Sequence, residues 1–188
     1  MTTQNDETAL GQGSSVKMET QETMKIIAAG NIFTGTFERD GMGGILTLGR
    51  NFECRPNKLK GYYKYTSAKV SVSKGHLNEG EDDLCSLYIA LTDEQITVNT
   101  NKGIYFDPNS SAVIAYGSIS DEESKGADSF KEFTVDLEYK DLKRIPKYII
   151  VVASSSKYGD YMEGGKGSTM WLDDLELVYP KSMEEVRK

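Results

Sequence analysis

Three stretches carry residue types whose spacing can do chemistry. RPNKLKGYYKY (residues 55–65) interleaves bases with aromatic rings. A ring offers an apolar face to the C–H side of a pyranose, while Lys, Asn and Asp bond the hydroxyls. In an extended chain Tyr63 and Tyr65 share one face, and Tyr62 and Lys64 the other, so one pair packs inward and the other meets solvent or ligand. Tyr63, Lys64 and Tyr65 are therefore candidate ligand contacts. SSSKYGDYMEGGKGST (residues 154–169) is glycine-rich and follows an apolar run, yet it cannot be a phosphate loop. That motif needs G-x-x-x-x-G-K-[ST] opening a helix, whereas Asp160 holds the first glycine position and Gly167 follows Lys166. Tyr158, Asp160 and the nearby Trp171 join the candidate sugar contacts.

The third stretch is the doublet Asp173-Asp174. Asp173 has the parity of Leu175, Leu177 and Tyr179, so a regular strand turns it inward, where a carboxylate must be hydrogen-bonded, paired or metal-bound. Oxygen ligands suit calcium, which makes Asp173 a candidate ligand for a structural Ca²⁺. Backbone N–H groups are the alternative partners, and a bulge at the doublet would break the parity. No other cofactor is called for.

Composition removes several chemistries. His76 is the sole histidine, which excludes a His-rich zinc or copper site. Ser154, Ser155, Ser156 and Ser168 all lie outside G-x-S-x-G, so the nucleophile elbow is missing. Cys54 and Cys85 lack C-x-x-C spacing and read as two buried thiols or one disulfide, with no metal role. With 29 Asp plus Glu against 22 Lys plus Arg, the net charge of −7 argues against nucleic acid. Hydrolysis by two carboxylates about 5–9.5 Å apart survives, with Asp160 and Glu163 as loop candidates.

The elements that must position these groups are strands. The 188 residues include 18 Gly and 11 Tyr, and short apolar segments alternate with turn signals. Strands are expected at 15–20, 30–37, 45–49, 62–71, 85–91, 112–119, 130–139, 148–155 and 169–179. Phe133, Val135, Leu137 and Tyr139 share one face, as do Leu87, Ile89 and Leu91, whereas YIIVV (residues 148–152) is apolar on both. Long polar loops at 74–83, 99–111 and 120–129 are where binding would live. The reading is all-β, a sandwich of two antiparallel sheets over residues 14–180, after a disordered leader or linker remnant at 1–13 and before a charged tail at 181–188. No apolar run approaches the roughly 20 residues that span a bilayer.

RPNKLKGYYKY, CSLYIAL, FTVDLEY and YIIVVASSSKYGDYMEGGKGSTMWLDDLELVY, in that order, resemble the putative carbohydrate metabolism domain of Bacteroidetes cell-surface proteins and lipoproteins. The resemblance covers residues 15–179. It implies a jelly-roll β-sandwich similar to galactose-binding-like modules, a glycan ligand, and a secreted or outer-membrane-associated location beside other parts of a glycan-uptake system. Members are commonly labelled glycoside hydrolases, but no catalytic residues are carried over. Met170-Trp171 stands where the family pattern has aliphatic or smaller aromatic residues. A glycan-binding accessory module is the first expectation, a hydrolase the second and a structural or protein-interaction spacer the third.

Overall fold

Period-two burial dominates the chain. In the computed structural model, which describes residues 1–41 and 43–180, the strand built from YYKY buries Leu59, Gly61, Tyr63 and Tyr65 and turns the residues between them outward. The expected tail lies outside the described residues.

Along the chain, β1 (Thr2–Asn5) pairs with β2 (Ser15–Glu19), and β3 (Gln21–Thr23) with β4 (Ile26–Ala28). Next come β5 (Asn31–Phe33), β6 (Gly35–Asp40), β7 (Gly43–Leu48), β8 (Arg50–Asn51), β9 (Lys58–Thr66), β10 (Ser86–Thr92) and β11 (Ile96–Asn99). The chain finishes with β12 (Val113–Ser118), the one-turn helix α1 (Asp121–Ser124), β13 (Ala127–Asp136), β14 (Glu138–Tyr139), β15 (Tyr148–Ser154) and β16 (Thr169–Val178). One sheet runs β1-β2-β16-β9-β13 and the other β14-β12-β10-β15-β5, every pairing antiparallel. If β2, β5, β9, β10, β12, β13, β15 and β16 are numbered one to eight, the sheets read 1-8-3-6 and 2-7-4-5, the interleaved order of a jelly roll.

The main core lies between these sheets. Leu59, Tyr63, Phe133, Val135, Met170 and Leu172 meet Leu87, Ile89 and Leu91 of the facing sheet. Apolar residues on both faces of β15 are explained by a third sheet, β11-β7-β6, laid over the second. It packs Leu48 and Val98 against Ile150 and Ala90, while Ile149 and Ala153 face the main core.

Two expectations are corrected. The segment 1–13 is no disordered leader, because β1 adds to the open edge of β2 in register from Thr2 opposite Met18 to Asn5 opposite Ser15. Edge pairing satisfies backbone groups without any apolar pattern, so the sequence carries no mark of it. The parity argument for Asp173 also fails. The β16–β9 register slips between Asp173 and Glu176, with Asp174 at φ 47°, so Leu172 and Leu177 face the core while Asp173 shares the face of Trp171. Gly61 stands against this bulge, where a Cβ would come within 2.9 Å of Leu175 Cδ2 and 3.0 Å of the Asp173 carbonyl oxygen. The two cysteines are free, Cys85 buried and Cys54 exposed.

A buried polar network joins the sheets to the loop after β15. Thr20 Oγ1 lies 2.7 Å from both Ser155 Oγ and Ser156 Oγ, and Ser156 Oγ donates to Asp83 Oδ2 at 2.6 Å. Asp83 also accepts from the backbone N–H of Gly165 and of Leu84, each at 2.8 Å. Burial pushes the Asp83 carboxyl above its ordinary value, against the pull of these bonds. Asp83→Ala strands the buried Ser156 and Gly165 donors and the part-buried Leu84 N–H, and is expected to lose about 2–4 kcal/mol of stability. Urea unfolding should report a lower midpoint at unchanged slope.

Candidate functional site

The third sheet leaves part of the second uncovered, and that opening is walled by aromatic rings. On the outer parity of β10, opposite the core-facing Leu87 and Ile89, Tyr88 lies 6.0 Å from Tyr116 of β12, centroid to centroid. The loop after β11 lays Phe106 over Tyr88, stacked at 4.9 Å, and stacks Tyr105 on Tyr161 at 3.9 Å. Tyr161 belongs to a short 3₁₀ turn, Gly159–Tyr161, in the loop between β15 and β16. The recess between these rings has a volume of ≈ 290 Å³. A second recess of ≈ 480 Å³ runs beneath β6 and β7, and a narrower one of ≈ 60 Å³ reaches Ser154 and Val152. Asp160 is common to the linings of all three, which adjoin one another as a groove along this residue.

Asp160 is an exposed residue, and the protein around its carboxyl raises it above the ordinary carboxylate value by desolvation. No hydrogen bond from the described residues reaches its carboxylate. Burial likewise pushes the Tyr88 phenol up, with the Asp160 charge adding to the effect. Lys157 lines the recess too, but its ammonium is taken by Asp121 at 3.0 Å.

A second carboxylate fixes the loop from behind. Glu163 is 0% exposed. It accepts from the backbone N–H groups of Lys74 at 2.8 Å, His76 at 3.2 Å and Leu77 at 2.5 Å, and its Oε2 lies 3.1 Å from His76 Nδ1. Burial alone would raise the Glu163 carboxyl, but these bonds bring it below its ordinary value. The His76 ring then stacks on Tyr158 at 4.4 Å and leans on Tyr161 at 4.3 Å. Glu163 thus orders the groove wall and has no access to a ligand, which corrects its candidacy as a catalytic carboxylate.

The sequence-derived site residues fall into three places. Tyr158 and Asp160 come together in the groove. Tyr63 and Tyr65, 1% and 2% exposed, belong to the core and cannot serve as sugar platforms, because their strand parity points them between the sheets. Burial drives the Tyr63 phenol up to about 12, and its hydroxyl donates to the Glu123 carbonyl at 3.0 Å. Lys64 and Trp171 lie on the outer face of the opposite sheet, far in the fold from Asp160. There the Lys64 and Lys17 ammonium groups sit 4.6 and 5.6 Å from the Trp171 ring centre, and Lys64 is held by Glu7 at 2.5 Å. Trp171 is a covered ring, not an open platform. Asp173 accepts from the backbone N–H of Ala9 at 2.8 Å and of Asp174 at 3.0 Å, so backbone donors occupy both its oxygens. Among the described residues no three His, Cys, Asp or Glu side chains cluster together.

Sequence reasoning missed Tyr88, Tyr105, Phe106, Tyr116 and Tyr161. The signals were present: Tyr88 stands on the non-core parity of its strand, and Tyr105-Phe106 interrupts an otherwise polar loop.

Fold and groove together define a jelly-roll β-sandwich with an aromatic-lined cleft on one sheet. The chain belongs to the family described as Putative carbohydrate metabolism domain, whose profile matches residues 1–178. It is similar to a solved structure described as a putative glycoside hydrolase from Bacteroides thetaiotaomicron, with 25% identity and a TM-score of 0.78 over 96% of this chain and 57% of the other. A second, from Bacteroides vulgatus and described in the same words, shows 24% identity and a TM-score of 0.75 over 94% of this chain and 76% of the other. The chain thus spans little more than half the length of the first. No curated protein matches it. No helix among the described residues is long and apolar enough to cross a membrane.

Because the folded state raises the Asp160 carboxyl above its ordinary 3.8, its charge weakens the fold progressively as pH rises from that value through the folded-state value. Asp160→Asn is expected to raise Tm at neutral pH. The gain should shrink to nothing in acid, where the carboxyl is protonated in both states, as a series of melts across pH would show.

Proposed function

We propose that the groove at Asp160 binds glycan and that the domain serves as a carbohydrate-binding accessory module of a cell-surface glycan-utilisation protein. The observation that carries this reading is a free carboxylate at the junction of recesses walled by six aromatic side chains, Tyr88, Tyr105, Phe106, Tyr116, Tyr158 and Tyr161. Ring faces cover the apolar side of a pyranose, and a carboxylate without protein partners has its acceptor capacity free for hydroxyls. The walls are ordered before any ligand arrives, since Tyr161 stacks on Tyr105 and leans against His76, and its loop is pinned by Glu163. Preordering reduces the entropic cost of binding. Family membership supports the carbohydrate class. Partner domains of the same protein would supply the remaining activity.

One observation favours hydrolysis as a second reading. A carboxyl raised by desolvation suits a general acid, and Asp121 lines the same recess. Asp121 is tied to Lys157 and widely exposed, the opposite of a tuned catalytic group.

A broad panel of polysaccharides, read for both binding and release of reducing ends, separates the readings. The module reading expects saturable binding without release, weakened about tenfold or more by Tyr161→Ala or Tyr88→Ala and unaffected by Trp171→Ala. Release of sugar that is abolished by Asp160→Asn would establish the hydrolase instead.

A further inference from the structure

The charge balance of the groove narrows the class of sugar. The described residues lining the three recesses contribute two carboxylates, Asp121 and Asp160, and one ammonium, Lys157. Lys157 Nζ is 3.0 Å from Asp121 Oδ1 and leaves Asp160 as an uncompensated negative charge. The rings add to the same field. A ring face that remains open to the recess carries negative π density, which attracts a cation and repels an anion. Tyr88 and Tyr161 both lie close enough to Asp160 for its charge to push their phenols up.

Any ligand closing over this junction displaces the water that still solvates Asp160. A neutral sugar can return hydroxyl hydrogen bonds but no countercharge, so it would cover an exposed charge without neutralising it. A uronic acid or sulfated sugar would bring a second negative charge into a low-dielectric recess. An ammonium group supplies a charge-assisted hydrogen bond to the carboxylate and a cation for the ring faces at once.

We infer that the groove selects glycans bearing a free amine, with Asp160 pairing the protonated amino group of an amino sugar among the tyrosine rings. This rests on the glycan-binding reading and gives it a substrate class. The carboxylate is the specificity determinant, and the rings grip the pyranose whatever its substituent. N-acetylation removes the charge and adds bulk, so the acetylated sugar is the discriminating control.

The test titrates the protein with glucosamine, galactosamine and mannosamine, and with their N-acetylated and neutral counterparts, at a pH where the amines are protonated. Binding is followed through the carboxyl ¹³C resonance of Asp160 and by calorimetry. At least one amine is expected to bind about tenfold more tightly than its N-acetylated form and to lower the Asp160 pKa. In Asp160→Asn that ratio is expected to fall to about twofold or less, and raised salt should narrow it in the unmodified protein. Neutral or acetylated sugars binding as well as the amines would overturn the inference while leaving a glycan groove in place. An amine preference that survives Asp160→Asn would overturn it as well, by placing the amine elsewhere. Absence of binding by every sugar here and by every polysaccharide of the broader panel would overturn both readings.

Discussion

The hydrogen bond from Ser156 to the buried carboxylate of Asp83, with the Thr20 and Ser155 hydroxyls behind it, is the interaction on which the functional surface depends. A jelly roll forms from strand pairing and apolar alternation alone, but nothing in those forces fixes a glycine-rich loop of some fourteen residues. The fix is polar. Asp83 captures the Gly165 N–H near the far end of the loop, Ser156 ties its beginning to the same oxygen, and Thr20 links both to the first sheet. Each partner is buried, so each bond acts in a low dielectric, and leaving any one unmade is expensive. The run of three serines after β15 is thereby accounted for as structure.

Glu163 extends this logic by one step. Its three backbone donors draw the 74–77 segment onto the loop, and the histidine in that segment becomes a stacking surface for Tyr158 and Tyr161. A buried acid on one side of the loop therefore orders the rings on the other. The two faces of the sandwich are treated differently. On the face of Trp171, Lys17 and Lys64, Asp173 and Lys64 hold down Ala9 and Glu7, whereas on the second sheet the extra strands β6, β7 and β11 cover only part of the surface and leave a groove beside them.

Much of this architecture is legible in the sequence because it follows from side-chain period. The alternation in FTVDLEY and CSLYIAL places the core, and the doubly apolar YIIVV announces a strand covered on both faces, which Ile149 and Ile150 confirm by packing into different clusters. Period carries no information about edges and bulges. β1 is polar and joins by backbone bonds, β11 is four residues long, and α1 rests on the reciprocal Ser120–Glu123 capping box and not on an apolar stripe. The Asp173 parity misled because one left-handed residue, Asp174, reverses every face beyond it. Period does separate Tyr63 from Tyr62, but choosing which parity faces inward needs the partner sheet. This is why Tyr63 and Tyr65 read as ligand contacts and Tyr88 did not.

The acidic composition takes on a different meaning at Asp160. Several other carboxylates are compensated: Asp83 and Glu163 by N–H and O–H donors, Asp93 and Asp141 by Arg144, Asp136 by Lys58. Asp160 has no donor among the described residues, and it stands beside the aromatic rings on a loop the rest of the structure holds in place. An asparagine there, or Lys157 turned toward it, would remove an unpaired charge from beside the rings. A partner for that charge can arrive from outside, and the pinned loop holds the carboxylate already in position for it. The uncompensated charge is therefore the part of the groove least explained by folding and most readily explained by a cationic group on the ligand.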